Sequence, residues 1–293
     1  MYASKFRNVD LPAYDRVRLD TEDGDFLDLD FSRVGSRRVV LLLHGLEGNS
    51  GRPYIRGMAH AMNAAGWDVA ALNFRSCSGV PNRKVYAYHS GATEDLEPVL
   101  KTLLAHYDSI SAIGFSLGGN LLLKYLGERR SHTPIQSAIA VSVPCDLKGS
   151  SERLSAFANG MYMRRFLHSL RKKVEIKAQL FPGEIDISDY DSIKTFQQFD
   201  DRFTAPLHGF RDAEDYWAQC SCLSFLPAIT TPTLVLNALD DPFLSESCYP
   251  FREAKAHSSL LLNTPKYGGH VGFVQQGLYW SEHMATHFIQ TNA

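Results

Sequence analysis

The chain has 293 residues, 44% of them hydrophobic, and a formal net charge of −2. That length carries one large core, or one core with an inserted lobe. So balanced a charge gives no global field for nucleic acid or an anionic membrane. The five cysteines (Cys77, Cys145, Cys220, Cys222, Cys248) are odd in number and scattered, which argues for free thiols in a reducing compartment. Cys220-Ser221-Cys222 lacks the spacing of a zinc site and has no second pair, so no metal is expected. No stretch of 18 apolar residues occurs, and Met1 to Asp10 has no apolar signal core. A cytoplasmic protein with no integral membrane segment, monomeric or weakly dimeric, is therefore expected.

In chain order, Val17 to Leu19 and Phe26 to Phe31 read as a hairpin around Glu22-Asp23-Gly24-Asp25, of uncertain register. Val39 to Leu43 is a continuous apolar run, the pattern of a strand buried on both faces. Tyr54 to Ala65 is helical and closed by Gly66; Asp68 to Phe74 is another buried strand. Thr93 to His106 places Leu96, Val99, Leu100, Leu103 and Leu104 at helical spacing. The strand Ile110 to Ile113 precedes a helix from Asn120 to Gly127, and Ala138 to Val143 is the next strand, ended by Pro144. The pattern then turns mainly helical and less apolar. It resumes with a strand at Thr233 to Ala238, a helix at Ser245 to Ala256, a strand at Leu260 to Leu262 and a closing helix from Val271 to Ile289. Such alternation implies an α/β fold with a mostly parallel central sheet and helices on both faces. It divides into a core of 1–146 and 229–293 and an inserted helical cap of 147–228.

The cap begins strongly basic, with Lys148, Arg153, Arg164, Arg165, Arg171, Lys172, Lys173 and Lys177 against Glu152 and Glu175. Met163, Phe166, Leu167, Leu170 and Val174 form an apolar stripe. A basic amphipathic helix can lie on an anionic membrane. A cap helix over the site mouth, locally neutralised by Glu184, Asp186, Asp189 and Asp191, explains the same pattern and is the preferred reading. Phe157, Met161, Met163, Phe166 and Leu167 are its candidate pocket walls.

Gly114-Phe115-Ser116-Leu117-Gly118 fits G-x-S-x-G between a strand and a helix. In this nucleophile elbow the strained turn lifts the serine hydroxyl clear of the sheet, and small residues flank it because side chains would collide. A serine hydroxyl needs a base within hydrogen-bond reach. His270, after Gly268-Gly269 and the last strand, stands out by position among eleven histidines. The orienting acid belongs after the preceding strand, where Asp240 and Asp241 both stand; Asp241 fits the loop better, and Asp240 would then shape the turn. The order Ser, Asp, His is that of one serine hydrolase fold and not of the others. Two backbone N–H groups, of Leu117 at a helix start and of Leu46 in the His44-Gly45-Leu46 loop, are candidates for an oxyanion hole. A dehalogenase would need a carboxylate at position 116. A thioesterase on the same residues, or a non-catalytic binder, is the alternative to an esterase.

The stretches HGLEGNS with PYIRG (44–57), ALNFRSCSG with PNR (71–83), YHSGATEDL (88–96), GFSLGGNLLLKYLGE (114–128), FDDRFTAPLHGF (199–210) with DAEDYW (212–217), LDDPF (239–243) and YGGHVGF (267–273) are far more specific than the pentapeptide. They resemble the YheT-like branch of the α/β-hydrolases, which includes ABHD1/ABHD3-type lipid esterases and EMB8-like plant proteins. The resemblance implies the α/β-hydrolase fold, Ser116 as nucleophile, Asp241 as acid and His270 as base. It also implies hydrolysis of short-chain acyl esters or acylglycerol lipids without a cofactor. Two departures stand out. The family usually has a longer amino-terminal segment, which bears on the pocket entrance, and Ser245 stands where a proline often closes the acid loop. The membrane anchor of eukaryotic relatives is not carried over. Within the shared stretches, Asp200, Asp201, Arg202, His89 and His208 suggest a structural polar network between cap and core, with pocket lining as the alternative.

Overall fold

The computed structural model describes residues 7–292; Met1 to Phe6, part of the opening stretch read above, lie outside the described residues. Eight strands form one sheet: β1 (Asp15–Asp20), β2 (Phe26–Ser32), β3 (Arg38–Leu43), β4 (Asp68–Asn73), β5 (Ser109–Phe115), β6 (Ile135–Val141), β7 (Thr233–Leu236) and β8 (Leu260–Asn263). Their spatial order is β1-β2-β4-β3-β5-β6-β7-β8. β2 is antiparallel to both of its neighbours, and all the other pairs are parallel.

The hairpin's irregular pattern has a chemical cause. Leu27, Leu29 and Phe31 face one side and join the core. Asp28 and Asp30 face the other, where Arg18 and Arg16, their direct cross-strand partners, hold them by forked ion pairs. Phe26 lies under the Arg18 guanidinium.

β3 explains the continuous apolar run. Val39, Leu41 and Leu43 pack on one face with helices α2 (Leu96–Leu104) and α3 (Leu117–Arg129). Val40 and Leu42 pack on the other with α1 (Pro53–Ala64) and the closing helix. Each such fully buried side chain contributes about 1.5–3 kcal/mol relative to exposure, which is why residues 39–43 of this strand, covered on both sides, are all apolar.

Between β6 and β7 the chain forms α4 (Leu147–Ala156) and α5 (Met161–Leu180). A helix spanning 196–208 follows, with a π-helical stretch Asp200–Thr204 between Phe196–Phe199 and Ala205–His208. The segment ends with α6 (Ala213–Cys220) and a 3-10 stretch Cys222–Ala228. Its apolar stripe is buried in a satellite cluster: Met163, Leu167, Leu170 and Val174 pack with Tyr190, Phe199 and Phe203. Several of its basic residues are paired. Lys148 meets Glu214, Arg171 meets Glu175 and Asp191, and Lys173 meets Glu47. Among the described residues no helix is long and apolar enough to cross a membrane. Cys222 and Leu226 already belong to the sheet's core cluster.

Two expected helices differ. Ser245 to Ala256 holds only short turns, Glu246–Cys248 and Phe251–Ala254. Pro250 forces the preceding Tyr249 into extended backbone, at φ −106° and ψ 97°. The closing helix begins at Trp280, not Val271 (α7, Trp280–Asn292). Residues 271–279 form an irregular loop, because Val271, Phe273 and Gly277 hold positive φ, which no continuous α-helix accommodates.

Candidate active site

The register of the parallel strands brings the site together. Leu43 pairs with Gly114, Gly114 with Ala140, Ala140 with Val235 and Val235 with Leu262. The loops after β3, β5, β6, β7 and β8 therefore emerge side by side at the carboxyl edge of the sheet, where ligands bind in open α/β sheets.

Ser116 occupies the turn between β5 and α3 at φ 52° and ψ −118°. A non-glycine residue there costs about 1–3 kcal/mol and persists only when its surroundings impose it. The surroundings are tight. A Cβ on Gly114 would stand 2.4 Å from the Gly118 carbonyl oxygen, and one on Gly118 would stand 2.6 Å from the carbonyl oxygens of Leu43 and His44. The missing side chains let the helix start abut both its own strand and the loop after β3.

His270 reaches Ser116 from the loop after β8, its Nε2 lying 3.0 Å from Ser116 Oγ. Its Nδ1 lies 2.9 Å and 3.2 Å from the two carboxylate oxygens of Asp241. The Asp241 side chain is fully buried and also accepts the Phe243 amide at 3.0 Å. Asp240 turns the other way and accepts the amides of Gly268 and Gly269 at 2.9 Å and 2.7 Å. Ser142 Oγ accepts the Val271 amide, fixing the histidine loop from its far side. Phe243 packs on the imidazole, with ring centroids 4.4 Å apart. Ser245, where the resemblance implied a proline, sits at φ −78°, a value proline would also adopt.

The loop after β3 is held by its own side chains. Burial lowers the His44 pKa to about 3, so the ring is neutral. Its Nδ1–H donates to the Gly45 carbonyl at 2.8 Å and its Nε2 accepts the Phe74 amide at 3.2 Å. The Gly45 amide donates to Tyr54 Oη, the Glu47 amide to Tyr88 Oη and the Gly48 amide to the Gly45 carbonyl. Among the described hydrogen bonds the Leu46 amide has no protein acceptor, and Leu117 is the first residue of α3, where an N–H has no intrahelical partner.

A cavity of about 480 Å³ opens over these groups. One wall is apolar, with Tyr162, Phe166, Leu170 and Val174 of α5 joined by Phe196, Phe199, Phe203 and Phe243. Of the five wall residues expected from the sequence, Phe166 alone lines it. Met161 is 47% exposed, Met163 and Leu167 are buried in the satellite cluster, and Phe157 stacks on Tyr162. The helical phase turns the Tyr162–Phe166–Leu170 face toward the cavity.

The polar residues singled out in the sequence separate into two roles. Asp200, His89 and His208 line the cavity. Burial raises Asp200 to about 7, against hydrogen bonds from Thr204 and Trp217. Burial lowers His89 to about 3 and His208 to about 4. Asp201 instead accepts the Ala213 amide, and Arg202 points outward to Asp186.

Two groups escaped the reading of the sequence. Glu47, directly after Leu46, is bound by Tyr88 and by Lys173 of α5; its place in the loop was the available signal. Arg75 is buried among Asp23, Asp25 and Asp95, tying the hairpin turn to the start of α2; nothing local marks it. All five cysteines are unpaired and buried, and among the described residues no cluster of His, Cys, Asp and Glu could hold a metal.

Comparison with known proteins gives the family. The alpha/beta hydrolase fold family matches residues 38–276. The putative esterase YheT of Escherichia coli is 36% identical over 265 residues, covering 88% of this chain and 78% of that protein. Phospholipase ABHD3 of Bos taurus is 32% identical over 277 residues, covering 90% and 67%. An esterase structure from Pyrococcus furiosus superposes with a TM-score of 0.65 at 19% identity, over 98% of both chains. The chain belongs to the α/β-hydrolase fold family, in the ester-hydrolase branch that includes YheT.

Proposed function

We propose that the protein is a serine carboxylic ester hydrolase working through an acyl-enzyme, with Ser116 as nucleophile, His270 as general base and Asp241 as the orienting acid. The observation that carries this reading is the unbroken chain of contacts from Asp241 through both His270 ring nitrogens to Ser116 Oγ. His270 Nε2 takes the serine proton as Oγ attacks the ester carbonyl. The buried Asp241 carboxylate holds the Nδ1–H tautomer and stabilises the imidazolium. The N–H groups of Leu46 and Leu117 receive the developing oxyanion. The imidazolium then protonates the leaving alcohol. A water, deprotonated by the same histidine, attacks the acyl carbon; the bond to Ser116 Oγ breaks, the imidazolium returns its proton to that oxygen, and the acid is freed.

The substrates proposed are short-chain acyl esters or acylglycerol lipids. The aromatic and aliphatic wall over Ser116 suits an acyl chain, and YheT and phospholipase ABHD3 are named for ester chemistry. We treat residues 147–228 as a cap that forms this wall on a core of 1–146 and 229–293. The unpaired buried thiols support a reducing compartment, hence the cytoplasm. No step calls for a cofactor. The test is a panel of p-nitrophenyl esters of increasing acyl length with Ser116→Ala as control, alongside a fluorophosphonate probe. Hydrolysis by the wild type, with both turnover and labelling lost in Ser116→Ala, is the expected result. Labelling or turnover that survives in Ser116→Ala would move the nucleophile elsewhere.

A further inference from the structure

Glu47 follows Leu46 at φ 54°, a left-handed conformation that a non-glycine residue rarely holds unaided. Four contacts impose it. Its amide donates to Tyr88 Oη at 2.8 Å, and Tyr88 Oη in turn donates to Glu47 Oε1 at 2.8 Å, closing a ring. Arg52 donates to its carbonyl, and Lys173 Nζ lies 2.7 Å from the same Oε1. Lys173 stands on α5, which is otherwise a wall of the acyl cavity. Its side chain and that of Glu47 are 16% and 12% exposed. Its ammonium also sits 4.7 Å from the Tyr88 ring centroid and 3.2 Å from Cys77 Sγ. Tyr88 is backed by Phe74, which packs in turn on His44 at the root of the loop.

We propose that Lys173 and Tyr88 are positioning residues that act through Glu47 to aim the Leu46 amide at the oxyanion. The inference rests on the esterase reading above. An oxyanion donor works only if it is already aimed when charge develops, because reorienting a peptide plane during the reaction would cost what the hydrogen bond gains. The Gly48 amide closes a turn onto the Gly45 carbonyl, so Leu46 and Glu47 are its two central residues and the left-handed Glu47 torsions hold the turn that carries the Leu46 amide. The carboxylate locks those torsions through Tyr88, and Lys173 holds the carboxylate in place by a charge-assisted contact in a largely buried site. The link also couples the α5 wall to the chemistry: a lysine from the helix that lines the acyl cavity completes the loop that stabilises the transition state.

The experiment measures kcat, KM and the affinity of an aryl boronic acid, which forms an anionic tetrahedral adduct on the nucleophile, for Lys173→Met, Lys173→Arg and Tyr88→Phe. Tyr88→Phe keeps the ring packing and removes only the hydroxyl. Removing one oxyanion donor costs about 10²–10³ in kcat, and a misaimed donor costs less. Lys173→Met and Tyr88→Phe are therefore expected to lower kcat about 10- to 100-fold at every acyl length, with KM within about threefold and boronate affinity falling in parallel with kcat. Lys173→Arg should restore most of the loss. Arg171→Met removes an ion-paired residue on the outer face of the same helix and should leave all three quantities unchanged. Unchanged kcat, or a loss confined to KM, in a folded Tyr88→Phe protein would overturn the inference and leave the Ser116 reading standing. Wild-type hydrolysis that persists in Ser116→Ala would instead overturn the reading on which it rests.

Discussion

Asp240 and Asp241 are neighbours in the chain and grip consecutive residues of one loop: Asp241 meets the imidazole of His270, whereas Asp240 accepts the amides of Gly268 and Gly269 just before it. The loop after β7 turns the Asp240 carboxylate along the histidine loop and the next one, that of Asp241, inward. The inward one is fully buried beside His270.

The consequence for activity is asymmetric. Asp241→Asn should lower kcat by about 10⁴, the loss seen when the corresponding amide favours the wrong histidine tautomer in serine proteases. Asp240→Asn keeps an oxygen able to accept both amides and should cost less than about tenfold, whereas Asp240→Ala frees the loop and should cost more. Steady-state kinetics on one good ester separates the three. Equal losses for the two asparagine variants would contradict the assignment.

Chain-length preference should follow the face of α5 turned to the cavity. Phe166→Ala removes an aromatic wall and should lower kcat/KM for long acyl esters roughly 10- to 100-fold, as one to three kcal/mol of lost pocket contact would. Acetate and butyrate esters should be nearly unaffected. Met161→Ala, on the exposed face, should change nothing at any length. A uniform loss in Phe166→Ala would mean that the wall supports the catalytic geometry instead of the acyl chain.

Asp200 should make stability depend on pH. Burial raises its folded pKa to about 7, above the unfolded value of about 3.9. The folded state therefore holds a proton that the unfolded chain releases. The associated stability is fully present below pH 4 and is lost as pH rises through 7. His208, lowered to about 4 by burial, has the opposite sign, contributing stability that is lost as pH falls below about 6.5. The informative quantity is therefore the difference between wild type and Asp200→Asn. From urea unfolding, the variant should gain on the order of 2–4 kcal/mol relative to wild type between pH 4 and pH 8. A pH-independent difference would contradict this.

Arg75 should be worth far more to stability than a surface arginine. Its guanidinium is buried against Asp95 and Asp25, with Asp23 at the edge, and those partners keep it charged. Arg75→Met leaves two buried carboxylates unpaired and should cost about 3–5 kcal/mol, the usual penalty for breaking a buried pair from one side. Arg37→Met, which breaks an exposed pair with Asp108, should cost less than about 1 kcal/mol. Chemical denaturation of both variants provides the comparison.

The alternation of strands and helices, the elbow around Ser116 and the candidate residues after β7 and β8 were legible in the sequence because each is written locally. Apolar runs mark strands buried on two faces, glycines mark the turn that side chains cannot enter, and chain order alone puts Asp241 and His270 after strand ends. Two helical stretches misled, at 245–256 and 271–279. Pro250 is a breaker visible within the first, whereas helical spacing of apolar residues does not reveal that Val271 and Phe273 are held at positive φ by a loop carrying His270. Tertiary structure alone decided which face of α5 meets the cavity and that Lys173 reaches Glu47 across more than a hundred residues. Those choices depend on what packs against a side chain from a distant element, and a rotation of one residue along a helix, about 100°, exchanges a cavity wall for a buried anchor.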